Sequence, residues 1–220
     1  VLIGGKKEAS PVGVPQGGPL SPLLSNIMLN ELDKELERRG HLFVRYADDL
    51  VIFCKSRRSA QRTLDNLLPF IETKLFLKVN KEKPHVAYIR DIKFLSYAFG
   101  RRNGKCQFYI HVDSIKKMKS KIRGLTNNGW GYEYRKQRLT WYIRGWLNYF
   151  KFAGLKSRIK EWDGWLRHRI RMCIWKSWKR VRTRYRNLKK LIPDESRVRM
   201  AAFCRKKYWR MASHPTVQAA

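Results

Sequence analysis

The sequence is poor in acidic residues. It holds 17 Asp and Glu against 49 Lys and Arg, which gives a formal net charge of +32. An imbalance of this size describes the partners of a protein rather than its fold, because a strongly positive surface attracts polyanions. We therefore expect a nucleic-acid partner. An anionic membrane surface is the competing interpretation.

Cysteines are few, and long apolar runs are missing. The four cysteines lie far apart, and no two of them form a Cys-x-x-Cys pair. This spacing argues against a zinc site and is typical of reduced thiols in a cytosolic protein. No apolar run approaches 18 residues, so we expect no membrane-spanning helix. The first residue is Val1 rather than Met, and we expect the native start to be missing.

Tryptophan is absent from the first half, and charge is spread unevenly. Residues 1–112 carry a net charge of +8, whereas residues 113–220 carry +24 and all eight tryptophans. This shift predicts two domains, 1–112 and 113–220. The first domain is predicted to contain both helices and strands, and the second to be helical, basic and rich in aromatic residues.

The motif Arg45-Tyr46-Ala47-Asp48-Asp49 separates two short apolar runs, residues 42–44 and 50–54. This pattern predicts two strands joined by a tight turn. The two adjacent carboxylates repel each other unless a cation lies beside them. Mg²⁺ suits that place because it takes carboxylate and phosphate oxygens together. Taken alone, the motif also fits a surface hairpin with a solvated tip.

A loop rich in glycine and proline precedes this hairpin. Residues 13–22 contain three prolines and three glycines, which excludes regular structure. Ser21 is expected to cap a helix that runs to about Arg39. Apolar periodicity predicts a second helix at about 58–75, and further strands are expected at 77–79, 85–89, 92–99 and 107–111. The order predicts an antiparallel sheet with helices on one face, an α+β architecture.

Four stretches in this order resemble the palm of a reverse transcriptase of the group II intron-encoded kind. They are residues 14–22, 45–49, 77–83 and 94–97. The last differs from the family, which usually has glycine where Ser96 stands. The resemblance implies a palm in 1–112, followed by an all-α basic thumb, or maturase-specific domain, in 113–220.

The resemblance also implies roles for single residues. Asp48 and Asp49 are expected to hold the two Mg²⁺ ions of nucleotidyl transfer. Asp48 is the stronger candidate for a direct ligand, since successive side chains of a strand face opposite ways. The residues expected at the incoming nucleotide are Gln16, Gly17, Tyr46, Ala47 and Lys83. Those expected at the primer and template are Asn80, Leu95, Ser96 and Tyr97.

One acidic residue of the family pattern has no counterpart. The family's palm carries a further metal-binding aspartate on an earlier strand, and the fingers precede it. Here Glu8 is the only acidic residue before the Gly/Pro loop, and the next two, Glu31 and Asp33, fall on the predicted helix. We therefore expect an incomplete palm that does not polymerise DNA alone.

The second domain is predicted to contain basic helices at about 113–125, 134–152, 157–182 and 194–210. The apolar stripes of these helices are expected to form the core. Their basic residues are expected to form an RNA-binding surface, because few acidic residues are present to balance them. The resemblance implies binding of the template–primer duplex and of the intron RNA. The residues proposed for RNA binding are Arg144, Lys151, Arg167, Arg171, Lys176, Lys179 and Arg180.

The resulting expectation is an RNA-directed DNA polymerase of a group II intron, acting by target-primed reverse transcription and assisting splicing. Its partners are then intron RNA, an RNA template with a DNA primer, target DNA, deoxynucleotides and the fingers and first palm segment of the same protein. The location is the bacterial cytoplasm, in a ribonucleoprotein. Two alternatives stay open: a maturase that no longer polymerises, and a retron or CRISPR-associated reverse transcriptase.

Overall fold

The computed structural model describes residues 2–3, 6–7, 18–80, 84–126 and 129–219. The chain divides into two compact units, Val1–Leu95 and Ser96–Ala220. Helices alternate with small antiparallel sheets, which confirms the expected α+β fold class. The unit division precedes the expected domain boundary at 112/113, which stays a prediction about functional domains.

The first unit is built from two helices and several short strands. In chain order its elements are β1 (Leu2–Ile3), β2 (Lys6–Lys7), α1 (Ser21–Arg38), β3 (Leu42–Tyr46), β4 (Asp49–Phe53), α2 (Arg57–Thr73), a 3₁₀ turn (Ile89–Asp91) and β5 (Lys93–Phe94). Strands β1 and β2 form one antiparallel pair, and β3 and β4 form another.

The two helices of this unit begin differently. Ser21 is the first residue of α1 rather than its cap; Leu20 holds the cap position without a capping side chain. Pro22 is tolerated because the first turn of a helix leaves its backbone N–H groups unpaired. Helix α2 has a side-chain cap, since the Ser56 hydroxyl oxygen accepts a hydrogen bond from the Ser59 N–H at 3.1 Å.

The core of the first unit lies between the helices and one face of the β3–β4 hairpin. The hairpin contributes Phe43, Leu50 and Ile52 to it. The buried leucines of this core are Leu32, Leu36, Leu67 and Leu75. Because side chains alternate along a strand, the opposite face presents Val44 and Tyr46, and both are exposed.

Two strand predictions in the first unit were wrong. Residues 76–80 and 84–88 have no regular structure and a 3₁₀ turn begins at Ile89, so the strands predicted at 77–79 and 85–89 do not form. A hairpin forms further along the chain, with its turn at Asn103 and Gly104, whose φ angles are 50° and 76°. Asn-Gly is the favoured sequence for a two-residue turn with two positive φ angles. The Asn-Gly turn therefore joins the two strands of this hairpin, residues 97–102 and 105–110.

The second unit consists of one hairpin and seven helices among the described residues. Its elements are β6 (Tyr97–Arg102), β7 (Lys105–Ile110), α3 (Val112–Leu125), α4 (Tyr132–Tyr149), α5 (Lys156–Ser177), α6 (Val181–Lys189), α7 (Glu195–Phe203), α8 (Tyr208–Met211) and α9 (Pro215–Ala219).

Helix α5 links two hydrophobic cores. Its first part contributes Trp162 to a core with α3 and α4, where Met118 and Leu139 are buried. Its last part contributes Trp175, 1% exposed, to a second core with Leu188 and other residues of α6 to α9. A helix of 22 residues is about 33 Å long, which is enough to serve both cores.

The helices of this unit are shorter than expected. The predicted helix at 157–182 ends at Ser177 and resumes at Val181. The predicted helix at 194–210 is likewise divided into α7 and α8. The pattern of basic residues continues without interruption across both breaks, so the sequence did not predict them. His111 caps α3, since its ring nitrogen accepts a hydrogen bond from the Asp113 N–H at 3.2 Å.

Candidate functional site

The β3–β4 hairpin places the two adjacent aspartates at its tip. Tyr46 pairs with Asp49 in the strand register, which leaves only Ala47 and Asp48 in the turn. Ala47 has a φ angle of 54°, a conformation that costs a residue with a Cβ about 1–2 kcal/mol. Both carboxylates are exposed. Asp48 therefore lies in the turn itself, and Asp49 is the first residue of β4.

Arg45 fixes this turn to helix α1. Its Nε and Nη2 atoms donate to the two carboxylate oxygens of Asp33, at 2.8 and 2.5 Å. Its Nη1 atom donates to the Asn26 side-chain oxygen at 3.0 Å and to the Ala47 carbonyl at 2.9 Å. One guanidinium thus joins the turn backbone to two side chains of α1.

The carboxylate of Asp33 compensates the charge of Arg45. The hydrogen bonds that Arg45 donates to Asp33 raise the pKa of Arg45, and the side chains of Arg45 and Asp33 are only 13% and 21% exposed. Among the described residues, Asp48 and Asp49 have no hydrogen-bond or ion-pair partner for their carboxylates. The tip therefore carries two carboxylates that none of the described basic side chains neutralises.

These carboxylates fit part of a magnesium site. Mg²⁺ is bound in proteins through one or two carboxylates, with water and substrate phosphate completing its shell. Within the described ranges, no group of three His, Cys, Asp or Glu residues is placed to hold a metal ion. Asp33 is occupied by Arg45, and Glu31 pairs with Lys34 at 2.8 Å. The donor set present is thus a pair of carboxylates.

The residues expected at the nucleotide are placed only in part. Tyr46 is 64% exposed and shares its strand face with Asp49, since the two are paired across the hairpin. Ala47 is exposed in the turn. Gln16, Gly17 and Lys83 lie outside the described residues. Only Tyr46 and Ala47 are therefore shown beside the aspartates.

The residues expected at the primer occupy other places in the chain. Asn80 is exposed at the end of an irregular stretch. Leu95 and Ser96 connect β5 to β6 with φ angles of 48° and 68°. Positive φ is the conformation that glycine adopts freely, which accounts for the family's usual glycine at position 96. Their role at a primer stays a prediction.

Tyr97 and Ser96 have structural contacts within the second unit. The Tyr97 hydroxyl donates to the Tyr149 carbonyl, its ring packs against the first core, and burial raises its pKa. The Ser96 carbonyl accepts from the His111 N–H and the Ser114 hydroxyl, both at 3.1 Å. These contacts hold β6 at the start of α3.

The basic residues proposed for RNA binding differ in their surroundings. Arg167 pairs with Asp163 at 2.7 Å. Arg171 is half-buried and donates to the Ala212 carbonyl at 3.0 Å, so it stabilises the second core. The exposed members of the set are Arg144, Lys151, Arg167, Lys176, Lys179 and Arg180.

Sequence reasoning missed two features. The first is the contact of Arg45 with α1, for which the only signal was an arginine inside the motif. The second concerns the tryptophans, which were assigned mostly to the core. Those that pack in the two cores are Trp146, Trp162, Trp165, Trp175 and Trp178. Trp130, Trp141 and Trp209 are exposed instead.

Among the described residues, no helix combines the length and the apolar character needed to cross a bilayer.

Two family profiles match the chain in succession. The profile for reverse transcriptase (RNA-dependent DNA polymerase) matches residues 4–99. The profile for the group II intron, maturase-specific domain matches residues 115–192. The first match contains the aspartate hairpin, and the second contains helices α4, α5 and α6 and most of α3.

Curated relatives agree with the first profile. Protein YkfC of Escherichia coli strain K12 is 27% identical over 149 residues, covering 52% of this chain and 39% of that protein. The retron Ec86 reverse transcriptase of Escherichia coli is 26% identical over 148 residues, covering 66% and 43%. The Pol polyprotein of the Drosophila melanogaster R2DM element is 31% identical over 121 residues, covering 49% and 10%.

The chain spans less than half of the length of each of these relatives. The order of the two profile matches follows the order predicted from the motifs, palm before maturase domain. A reverse transcriptase profile followed by a maturase-specific profile is the combination that the resemblance implied. The chain therefore carries a reverse transcriptase domain followed by a group II intron maturase-specific domain.

Proposed function

We propose that this chain supplies the aspartate turn and the RNA-binding helices of an RNA-directed DNA polymerase of a group II intron. The observation that carries the proposal is the pair Asp48 and Asp49, exposed on a tight turn that Arg45 holds in place. The maturase-specific match after the palm supports target-primed reverse transcription together with assistance in intron splicing.

Asp48 and Asp49 are the residues of this chain that would hold Mg²⁺. Two bound ions supply activation of the primer 3′-hydroxyl and stabilisation of the triphosphate. Arg45 keeps the turn in one geometry through the Ala47 carbonyl. A further carboxylate is proposed to come from the fingers and first palm segment of the same protein, because the described residues hold no third ligand here.

The surrounding residues have proposed positioning roles. Tyr46 and Ala47, with Gln16, Gly17 and Lys83, would bind the incoming deoxynucleotide. The residues proposed for the primer and template are Asn80, Leu95, Ser96 and Tyr97. Lys83 suits a phosphate as a compact charge. These assignments rest on the family resemblance together with the position of Tyr46 beside Asp49.

The second domain is proposed to bind intron RNA and the template–primer duplex, and target DNA is the proposed integration site. Its net charge of +24 supports phosphate contacts, which dominate binding to duplex nucleic acid. We place the ribonucleoprotein in the bacterial cytoplasm. The similarity to a retron reverse transcriptase keeps a retron-type enzyme as the second candidate, and the maturase-specific match favours the intron protein.

The test separates polymerisation from RNA binding. Asp48→Asn is expected to abolish primer extension on an RNA template, in a reaction that includes the fingers and first palm segment as a second polypeptide, and to leave RNA affinity nearly unchanged. Asp65→Asn is the matched control, since Asp65 is exposed and, among the described residues, bonds only Gln61, at 2.9 Å. Equal loss of synthesis in both variants, or loss of RNA affinity with Asp48→Asn, would contradict the proposal.

A further inference from the structure

Helix α4 exposes a row of aromatic side chains. Trp130, just before the helix, is 40% exposed, Tyr134 is 47% exposed and Trp141 is 57% exposed. Trp130 and Tyr134 touch edge to face, with ring centroids 5.2 Å apart. Tyr134 and Trp141 are separated by seven residues, so they lie on one helix face about 10 Å apart along the axis. We call this set the aromatic row.

The row borders a shallow depression of about 520 Å³. Its lining comes entirely from α4: Glu133, Tyr134, Lys136, Gln137, Thr140 and Trp141. Large aromatics of a folded domain are mostly buried, and five other tryptophans of this unit pack in its cores. Nothing in the described part of the second unit covers Trp141.

The charge of helix α4 indicates which kind of partner binds the aromatic row. Helix α4 has one acidic residue, Glu133, and its basic residues are Arg135, Lys136, Arg138 and Arg144. The guanidinium of Arg138 lies 5.7 Å from the Tyr134 ring centre. Aromatic faces flanked by cations are the arrangement that binds single-stranded nucleic acid, because bases stack on the rings while phosphates meet the cations.

We propose that the aromatic row stacks unpaired nucleobases of RNA, with Trp141 and Tyr134 as the stacking residues. Paired bases hide their faces inside the helix, so this site selects single-stranded loops, bulges or ends. The site therefore differs from the phosphate contacts that dispersed arginines and lysines make with a duplex. The inference rests on the proposed RNA-binding function of the second domain.

The test compares two probes that carry the same charge. One is a labelled oligo(A) of 12 nucleotides, and the other is an abasic ribose-phosphate chain of equal length; binding of each to the full chain is followed by fluorescence anisotropy. The wild type is expected to prefer oligo(A) by roughly tenfold to a hundredfold, the range that stacking on one or two rings provides. Trp141→Leu keeps an apolar side chain but removes the ring.

Trp141→Leu is expected to remove most of the preference for oligo(A) and to leave the abasic affinity unchanged, whereas Trp141→Phe retains the preference. Phe203→Leu is the matched control, since Phe203 is 67% exposed on α7. With 4-thiouridine in the probe, crosslinks are expected in the peptide that contains Tyr134 and Trp141.

Several results would overturn the inference. One is an unchanged preference for oligo(A) in Trp141→Leu; another is an equal loss of affinity for both probes. Loss of self-association in this variant, seen by sedimentation with RNA preference intact, would assign the row to a protein contact. If the wild type bound neither probe, the proposed RNA-binding function itself would fail. Binding of both probes with equal affinity would refute only the stacking.

Discussion

Replacing Asp33 with asparagine tests whether the Arg45 contact holds the aspartate turn. The substitution keeps the shape of the side chain but removes the carboxylate charge that faces the guanidinium. The Asp33 side chain is 21% exposed and that of Arg45 is 13% exposed, so solvent compensates only partly. An asparagine also turns an N–H group toward one of the Arg45 donors, which removes one of the two hydrogen bonds.

The expected cost follows from these contacts. A hydrogen bond to a charged group contributes about 1.5–3 kcal/mol, whereas a neutral one contributes about 1 kcal/mol. Asp33→Asn removes one hydrogen bond to Arg45 and the charge of the second, while solvent partly compensates both side chains. The expected loss of hairpin stability is about 2 kcal/mol. This loss equals a change of roughly thirtyfold in the opening equilibrium of the hairpin.

Hydrogen exchange measures this opening locally. The first unit has no tryptophan, so tryptophan fluorescence does not report on it. Amide protection in the peptide that covers β3 and β4 is expected to fall about thirtyfold in Asp33→Asn. Glu31→Gln is the control on the same helix, since the Glu31–Lys34 pair has side chains 59% and 62% exposed. Its effect should stay below about threefold.

Equal loss of protection in Asp33→Asn and Glu31→Gln would refute this reasoning. So would a loss below about threefold in Asp33→Asn, the size expected of an exposed ion pair. Either result would show that the Arg45 contact does not hold the turn.

Further expectations follow from single residues. Trp175→Ala should lower the free energy of unfolding by about 3–5 kcal/mol in urea titrations, because Trp175 is 1% exposed; a loss below about 1 kcal/mol would contradict this packing. Ala47→Gly should slow hydrogen exchange in the β3–β4 hairpin, since glycine relieves about 1 kcal/mol at positive φ, and faster exchange would contradict strain at the turn. Burial, with a smaller contribution from Arg171, lowers the pKa of His168 below 6.5. Below pH 6.5 the unfolded chain binds a proton at His168 more readily than the folded chain does, so the free energy of unfolding falls as the pH drops below 6.5. Thermal unfolding at pH 7.5 and 5.5 should show a larger loss of Tm in the wild type than in His168→Gln, and equal losses would contradict the assignment.

The strongest local signals were read correctly from the sequence. The aspartate hairpin was predicted because two apolar runs enclose a two-residue turn, and it spans Leu42–Phe53 in the structure. Helix α2 was predicted within two residues of its bounds, because its apolar residues recur with helical periodicity. The α+β fold class followed from the order of these elements.

Features that depend on tertiary contacts were missed. The strand predicted at 77–79 is irregular, although Leu77 packs against the core of the first unit; burial of an apolar side chain requires no strand. The break after Ser177 has no glycine or proline to announce it. Likewise, no pattern along the sequence distinguishes Trp141, which is exposed, from Trp175, which is buried.

The most direct test of the account is primer extension on an RNA template with Mg²⁺. The chain is assayed alone and then with the fingers and first palm segment supplied as a second polypeptide. The account predicts synthesis only in the second reaction, and loss of that synthesis with Asp48→Asn. Tight RNA binding without synthesis in either reaction would contradict the polymerase and favour a maturase that acts only on intron RNA.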